Sequence, residues 1–412
     1  MASSRDASEV TETTMAAVMQ SLLIRGVSTR AEIATDTGLS RPTVSRTLAA
    51  LLSNGTVEQV KDPNHVGRGR PVHLVAINSR RADTVGIELG RRHIAFAAAD
   101  VSGRVVLSAT RDTSAALSLV DRARDALSFI GTQAREAGID LTKLRNVVVG
   151  TPGPRYHNSD SHKTIDVSLA RLSRERTLVA KVLTSSLLAP VSVGNNTRYT
   201  ALAEIRRRHA AGLSVDTLIY LRVDEGIGGG IVSGGELQSG SWDAAGEMGH
   251  ISLDINGPSC FCGGRGCLEL VAALPAVIQA AGAADLDDLQ RRATRDRAAR
   301  TAIQNAAAAT GKVLAGVLAV INPSVVVIGG SVASLPGFMD RLGAVTRATA
   351  PLWATLDLVI EAAETDHLLG AIGAAAAAYG ALGGAVPLTA RKVIVSLDES
   401  RGTQVAKATV SS

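Results

Sequence analysis

The residues best suited to chemistry lie in one short stretch. His250, Cys260, Cys262 and Cys267 read His-x9-Cys-x-Cys-x4-Cys, one imidazole and three thiolates. That is a full tetrahedral set for structural Zn2+, with no position left for a catalytic water. These are all the cysteines in the chain, and their spacing suits a metal in a reducing compartment better than a disulfide framework. Gly263, Gly264 and Gly266 permit the tight turns that gather the sulfurs. The plain alternative is three buried free thiols beside an unrelated histidine.

A second group could meet a polyanion. Between positions 41 and 80 the charges are Arg41, Arg46, Lys61, Arg68, Arg70 and Arg80 against Glu58 and Asp62, although the whole chain is only +5. Val44, Leu48 and Leu51 share one helical face, which assigns Arg41, Thr43, Ser45 and Arg46 to the faces that could read a major groove. The run Gly67-Arg68-Gly69-Arg70-Pro71 predicts a basic wing whose Arg68 and Arg70 enter a minor groove. Together they point to a double-stranded DNA operator as partner; a packing subdomain with a solvated basic face is the competing view.

The elements that must position these groups follow from periodicity. Residues 1–14 are polar and aperiodic and are expected to be a flexible lead. From 15 to 80 the sequence predicts a winged helix-turn-helix. A first helix starts near Met15 and stops at Gly26, a second carries a Thr29/Glu32 capping box and ends near Gly38, and Ser40 caps a third ahead of a hairpin over 57–76. Beyond Arg81, strands at 84–89, 94–99 and 104–108 precede alternating helices and buried strands, the pattern of an α/β domain. Helices are expected over 117–137, 296–320 and 368–379, and strands at 147–149, 191–193, 218–223 and 325–328. With 46% hydrophobic but 2% aromatic residues, the cores must be built from Ala, Val, Leu and Ile. No signal sequence or membrane-spanning apolar stretch is expected, which places the chain in the cytoplasm with no membrane partner. Residues 385–412 form a tail without a clear place.

The segment Ala245-Gly246-Glu247-Met248-Gly249-His250, followed by Cys260-Phe261-Cys262-Gly263-Gly264-Arg265-Gly266-Cys267-Leu268-Glu269, resembles the signature of the ROK family (repressors, open reading frames and sugar kinases). The resemblance extends over about 81–384, and the preceding winged helix is similar to that of ROK repressors of sugar-utilisation genes. It implies a bilobal actin-like, ribonuclease H-like domain closing on a sugar or sugar derivative, in a homodimer or homotetramer. It also implies sugar-binding roles for Asn195, Glu247, His250 and Glu269, residue types able to share several directional hydrogen bonds with hydroxyls. His250 would then serve both metal and sugar.

A kinase of that family needs an aspartate to take the sugar's proton, and the matching residue here is Asn196, which cannot act as a general base. The first phosphate loop, usually Asp-x-Gly-x-Thr, is Glu88-Leu89-Gly90-Arg91-Arg92. The second, usually Gly-Thr-Gly-x-Gly, is Asp224-Glu225-Gly226-Ile227-Gly228. No catalytic residue is therefore assigned. Gly194 replaces a common glutamate, and Thr151-Pro152-Gly153-Pro154 only partly matches the sugar-facing loop; neighbouring Arg155 would suit an anionic ligand or sit in solvent. The expectation is a sugar-responsive DNA-binding regulator, a repressor, that is not an enzyme. Its rivals are an active kinase that also binds DNA and a regulator with a vestigial cleft controlled by a protein partner.

Overall fold

The computed structural model describes residues 10–61, 73–153, 171–241, 243–364 and 367–383, and the backbone alone of 167–170, 394–398 and 403–407. The Gly67–Pro71 run with Arg68 and Arg70, and Pro154 with Arg155, lie outside the described residues.

Thr11 and Thr14 cap one another, so the first helix, α1 (Glu12–Arg25), begins inside the segment 1–14 expected to be a flexible lead. After β1 (Ser28–Thr29) comes α2 (Arg30–Thr37). There Glu32 N donates to Thr29 Oγ1 over 3.2 Å and Thr29 N to the Glu32 carboxylate over 2.7 Å, the reciprocal cap the sequence signals. Ser40 caps α3 (Arg41–Ser53), and β2 (Val57–Val60) and β3 (Leu74–Ile77) complete an antiparallel sheet of order β1-β3-β2. Val18, Leu22, Ile33, Val44, Leu48, Leu51, Val57 and Val75 close the core of this winged helix.

A first lobe follows: β4 (Thr84–Leu89), β5 (His93–Ala99), β6 (Val105–Asp112), α4 (Leu119–Ala137), β7 (Asn146–Thr151), α5 (Val167–Leu187) and β8 (Val191–Asn195). Then comes α6 (Asn196–Ala210). The second lobe contains β9 (Thr217–Val223), β10 (Ile227–Ser233), β11 (Glu236–Leu237), α7 (Glu269–Ala272), α8 (Leu274–Ala281), α9 (Leu286–Arg292), α10 (Arg297–Ile321), β12 (Val325–Gly329), α11 (Phe338–Thr349) and β13 (Val359–Ala362). The chain returns through α12 (Leu369–Gly380), and the backbone of β14 (Ile394–Asp398) and β15 (Thr403–Lys407) extends the first sheet beside β6, where sequence offered no place for the tail.

The first sheet has the order β14-β15-β6-β5-β4-β7-β8 and the second β11-β10-β9-β12-β13. Helices α6 and α12 lie between the two sheets, in a core shared by Ala97, Ala201, Ile205, Leu218, Val327, Ala371 and Ala375. α4 and α5 cover the outside of the first sheet, and α8 to α11 that of the second. Small residues make the central layer possible: a Cβ on Gly373 of α12 would lie 1.7 Å from the Tyr199 carbonyl oxygen of α6. α10 has the length and composition to cross a membrane, although Asn305 and Lys312 interrupt its apolar run. It is a core helix, with Ala299, Ile303, Ala307, Leu314 and Leu318 buried in the second lobe, and its alanines serve close packing there.

Candidate functional site: a cleft between two lobes

The first-sheet strands β4, β7 and β8 end at one side of a cleft of about 960 Å3, and the β9–β10 turn closes the other. Asn195, Glu247, His250 and Glu269, the four residues assigned to a sugar, all line it, together with Pro152, Gly153 and Asn196.

Asn195 ends β8 and caps α6. Its Oδ1 accepts from Thr197 N at 2.8 Å, which turns the amide nitrogen toward Gly153 O (3.1 Å) and Glu247 Oε1 (3.2 Å). Burial pushes the Glu247 carboxyl up to about 7, against the pull of Arg176, Asn195 and Arg198. Glu269 Oε2 accepts from Ile227 N at 2.7 Å and thereby ties α7 to the β9–β10 turn. Sequence reasoning missed Arg176. Buried on α5, it donates to Thr151 Oγ1 (2.8 Å), Pro152 O (3.0 Å) and Gly153 O (2.5 Å), and so shapes the loop that Asn195 also holds. No local motif marks an arginine that acts over this separation. The glutamate lost at Gly194 has no room: a Cβ there would meet Tyr199 Oη at 2.4 Å.

Where a kinase's base would stand, Asn196 Nδ2 donates to Glu88 Oε1 at 2.8 Å. Burial opposes charge on Glu88, but His93, Arg222 and Asn196 outweigh it and hold the carboxyl down at about 2. Arg222, a lone charge in the apolar strand β9, is legible in the sequence as a break in the pattern. The carboxylates of the Asp224–Gly228 turn are both engaged. Asp224 accepts from Ser331 Oγ at 2.6 Å, and Glu225 accepts from Arg91 and Arg92.

Beside the cleft, the ligand atoms of His250, Cys260, Cys262 and Cys267 lie within 4.8 Å of one another. Cys262 Sγ and Cys267 Sγ are 3.6 Å apart, and Cys260 Sγ is 3.7 Å from His250 Nδ1. Those two separations match the edges of a tetrahedron with metal–ligand bonds of roughly 2.1–2.3 Å, while the four ligand atoms together spread to 4.8 Å, wider than such an edge. Burial and the neighbouring sulfurs push the Cys267 thiol up to about 12, a crowding that a dication would reverse. The cluster could hold a metal ion. His250 turns Nδ1 to the cysteines while its ring, stacked edge-on with Phe261 at 5.0 Å, also lines the cleft.

On the winged helix, Arg41 and Arg46 of α3 are exposed and Ser45 is half-buried. Thr43 departs from its assignment to the reading face. It is buried, with its hydroxyl 2.8 Å from that of Ser40 and its backbone N donating to Ser40 Oγ, because the third residue of a capped helix turns back onto the cap.

A winged helix joined to two lobes around a polar cleft, with a cysteine knot at the cleft's rim, defines the class of protein by fold. The chain belongs to the ROK family, whose model matches residues 84–380, and residues 14–78 match the model of the sugar-specific transcriptional regulator TrmB. It is 26% identical to the xylose repressor of Bacillus subtilis over 332 residues, covering 76% of this chain and 81% of that one. It is also 33% identical to an N-acetylmannosamine kinase of Citrobacter koseri over 196 residues, 46% of this chain and 66% of the kinase. A ROK family transcriptional regulator, described as a homologue of the E. coli MLC protein, superposes with a TM-score of 0.64 at 20% identity over 89% of this chain and 96% of its own. The ROK hexokinase of Thermus thermophilus gives 0.58 at 28% identity over 73% of this chain and 99% of its own.

Proposed function

We propose that this protein is a sugar-responsive DNA-binding repressor whose cleft binds a carbohydrate without phosphorylating it. The observation that carries the reading is Asn196. An amide stands at the base position, and it is consumed in a hydrogen bond to a buried, charged Glu88 while the sugar-facing set of Asn195, Glu247, His250 and Glu269 is intact. The likeness of the lobes to a xylose repressor and of residues 14–78 to a sugar-specific regulator supports the same reading.

Asn195, Glu247 and Glu269 would accept from and donate to sugar hydroxyls, and Arg176 would keep the 151–153 loop in place. Zn2+ held by His250, Cys260, Cys262 and Cys267 would fix the His250 ring at the cleft wall; its role is structural, because the donors fill a tetrahedron. Arg41, Ser45 and Arg46 would face the operator's major groove, with Arg68 and Arg70 adding wing contacts, in a homodimer or homotetramer that matches paired half-sites.

Coupling has a physical route. Arg81 Nη1 donates to Asn54 O, at the end of α3, over 2.7 Å, while its Nε pairs with Asp83 at 3.1 Å, immediately before β4. β4 ends at Leu89, one residue before Gly90 of the cleft wall. A shift of the first lobe therefore displaces the end of α3, and a ligand that favours one lobe arrangement changes operator affinity by its differential binding.

The test combines two assays on the full chain: phosphotransfer from ATP to a panel of sugars, and release of a genomically selected operator by the same panel. Release by at least one sugar without phosphotransfer supports the reading. Turnover at ordinary kinase rates rejects it.

A further inference from the structure

The two lobes meet across the cleft through charges of their own. Arg91 and Arg92 lie on the β4–β5 turn of the first lobe and Glu225 on the β9–β10 turn of the second. Arg91 Nη1 is 3.1 Å from Glu225 Oε2 and Arg92 Nε is 2.9 Å from Oε1, so each carboxylate oxygen receives one guanidinium.

Deeper in, the polarity reverses. Arg222 of β9 reaches Glu88 at the end of β4 over 3.4 Å, and His93 of β5 faces the same carboxylate at 3.4 Å. The His93 ring lies 5.2 Å from that of His367, just ahead of α12. Glu88 also presses on the first turn of α12, where a Cβ on Gly370 would come within 1.9 Å of Oε2. Only a bare backbone leaves room for a carboxylate there, and the helix start favours its charge. Glu225 of the second lobe is thus held by two arginines of the first, and Glu88 of the first lobe by Arg222 of the second.

We propose that these reciprocal contacts form an ionic clasp that ties the lobes together at this end of the cleft with no bound anion. A ligand reaching Asn195 and Glu247 then meets lobes that are already joined. The inference rests on the two-lobed fold and not on the carbohydrate reading, and its test needs neither sugar nor DNA.

Full-length wild type, Glu225→Arg, Arg91→Glu/Arg92→Glu and the triple charge reversal are compared by small-angle scattering and by amide exchange over residues 90–93 and 224–228, at low and high salt. Glu225→Arg is expected to enlarge the radius of gyration and to speed exchange in both turns by about 5-fold, the upper range for partly exposed pairs. The triple variant is expected to restore both, and high salt to loosen the wild type. Arg91→Gln/Arg92→Gln, confined to exposed side chains, guards against misfolding of the reversal and should speed exchange in the same turns. Wild-type behaviour of Glu225→Arg and of the Gln pair, or an opening that the triple reversal does not repair, overturns the clasp.

Discussion

Glu247 lines the cleft, Glu88 is fully buried behind the Asn196, His93 and Arg222 that do, and the two are held in opposite ways. Glu247 has the neutral amide of Asn195 as its hydrogen-bond partner, and burial leaves its carboxyl raised to about 7. Glu88 Oε1 is ringed by Asn196, His93 and Arg222, which overcome its burial and hold the carboxyl near 2. A carboxylate short of partners is what a ligand hydroxyl can use. One compensated by the chain's own cations is part of the frame. The two ends of the cleft thus differ: one carries a raised, lightly partnered carboxyl, and behind the other a carboxylate is ion-paired into the frame.

Asn196→Asp should have the largest effect. It would set a second carboxylate against Glu88 where an amide now donates, and a loss of roughly 3 kcal/mol in denaturant unfolding is expected, with no kinase activity gained. A fully stable Asp variant would mean that Glu88 is not held as an anion.

The acid limb of stability tests the same group. Because the folded carboxyl lies below its ordinary value of 4.5, its contribution is complete above about pH 4.5 and disappears as pH falls toward 2. Wild type should lose about 3 kcal/mol over that window from this group, at 1.36 kcal/mol per unit. Glu88→Gln should flatten this part of the profile. An unchanged acid limb would remove Glu88 from the frame.

At pH 8, above the raised value of about 7 so that the carboxyl is charged, Glu247→Ala should weaken carbohydrate binding by about 10- to 100-fold in calorimetric titration, as expected for a hydrogen bond to a charged group, with little change in the thermal midpoint. A large fall in stability instead would place Glu247 with Glu88 as structure. Arg46→Ala should be smallest, weakening the operator complex about 5-fold and making its salt dependence shallower, with ligand affinity untouched. If Arg46→Ala altered ligand affinity, the division between reading helix and cleft would fail.

Local signals carried much of the fold. Capping pairs at Thr29/Glu32 and Ser40 marked α2 and α3, and buried runs marked β4, β5, β9 and β12 within a residue or two. The cysteine spacing led to a real cluster, since neighbours within eighteen positions need only turns to meet. Legibility failed where geometry is long-range. Arg176 serves a loop more than twenty positions away, Arg222 and Glu88 meet only after two sheets assemble, and Thr43 is hidden by a cap. α6 was missed because both of its flanks are buried between the sheets, which erases an amphipathic stripe.

The most direct measurement is fluorescence anisotropy of a selected operator duplex with the metal-loaded full chain, titrated with a carbohydrate panel and repeated with Glu247→Ala. The expected result is release of wild type by at least one sugar, and an alanine variant that binds the duplex equally well but needs about 10- to 100-fold more of that sugar. Operator affinity indifferent to every sugar, or an alanine variant released as readily as wild type, would contradict control through this cleft.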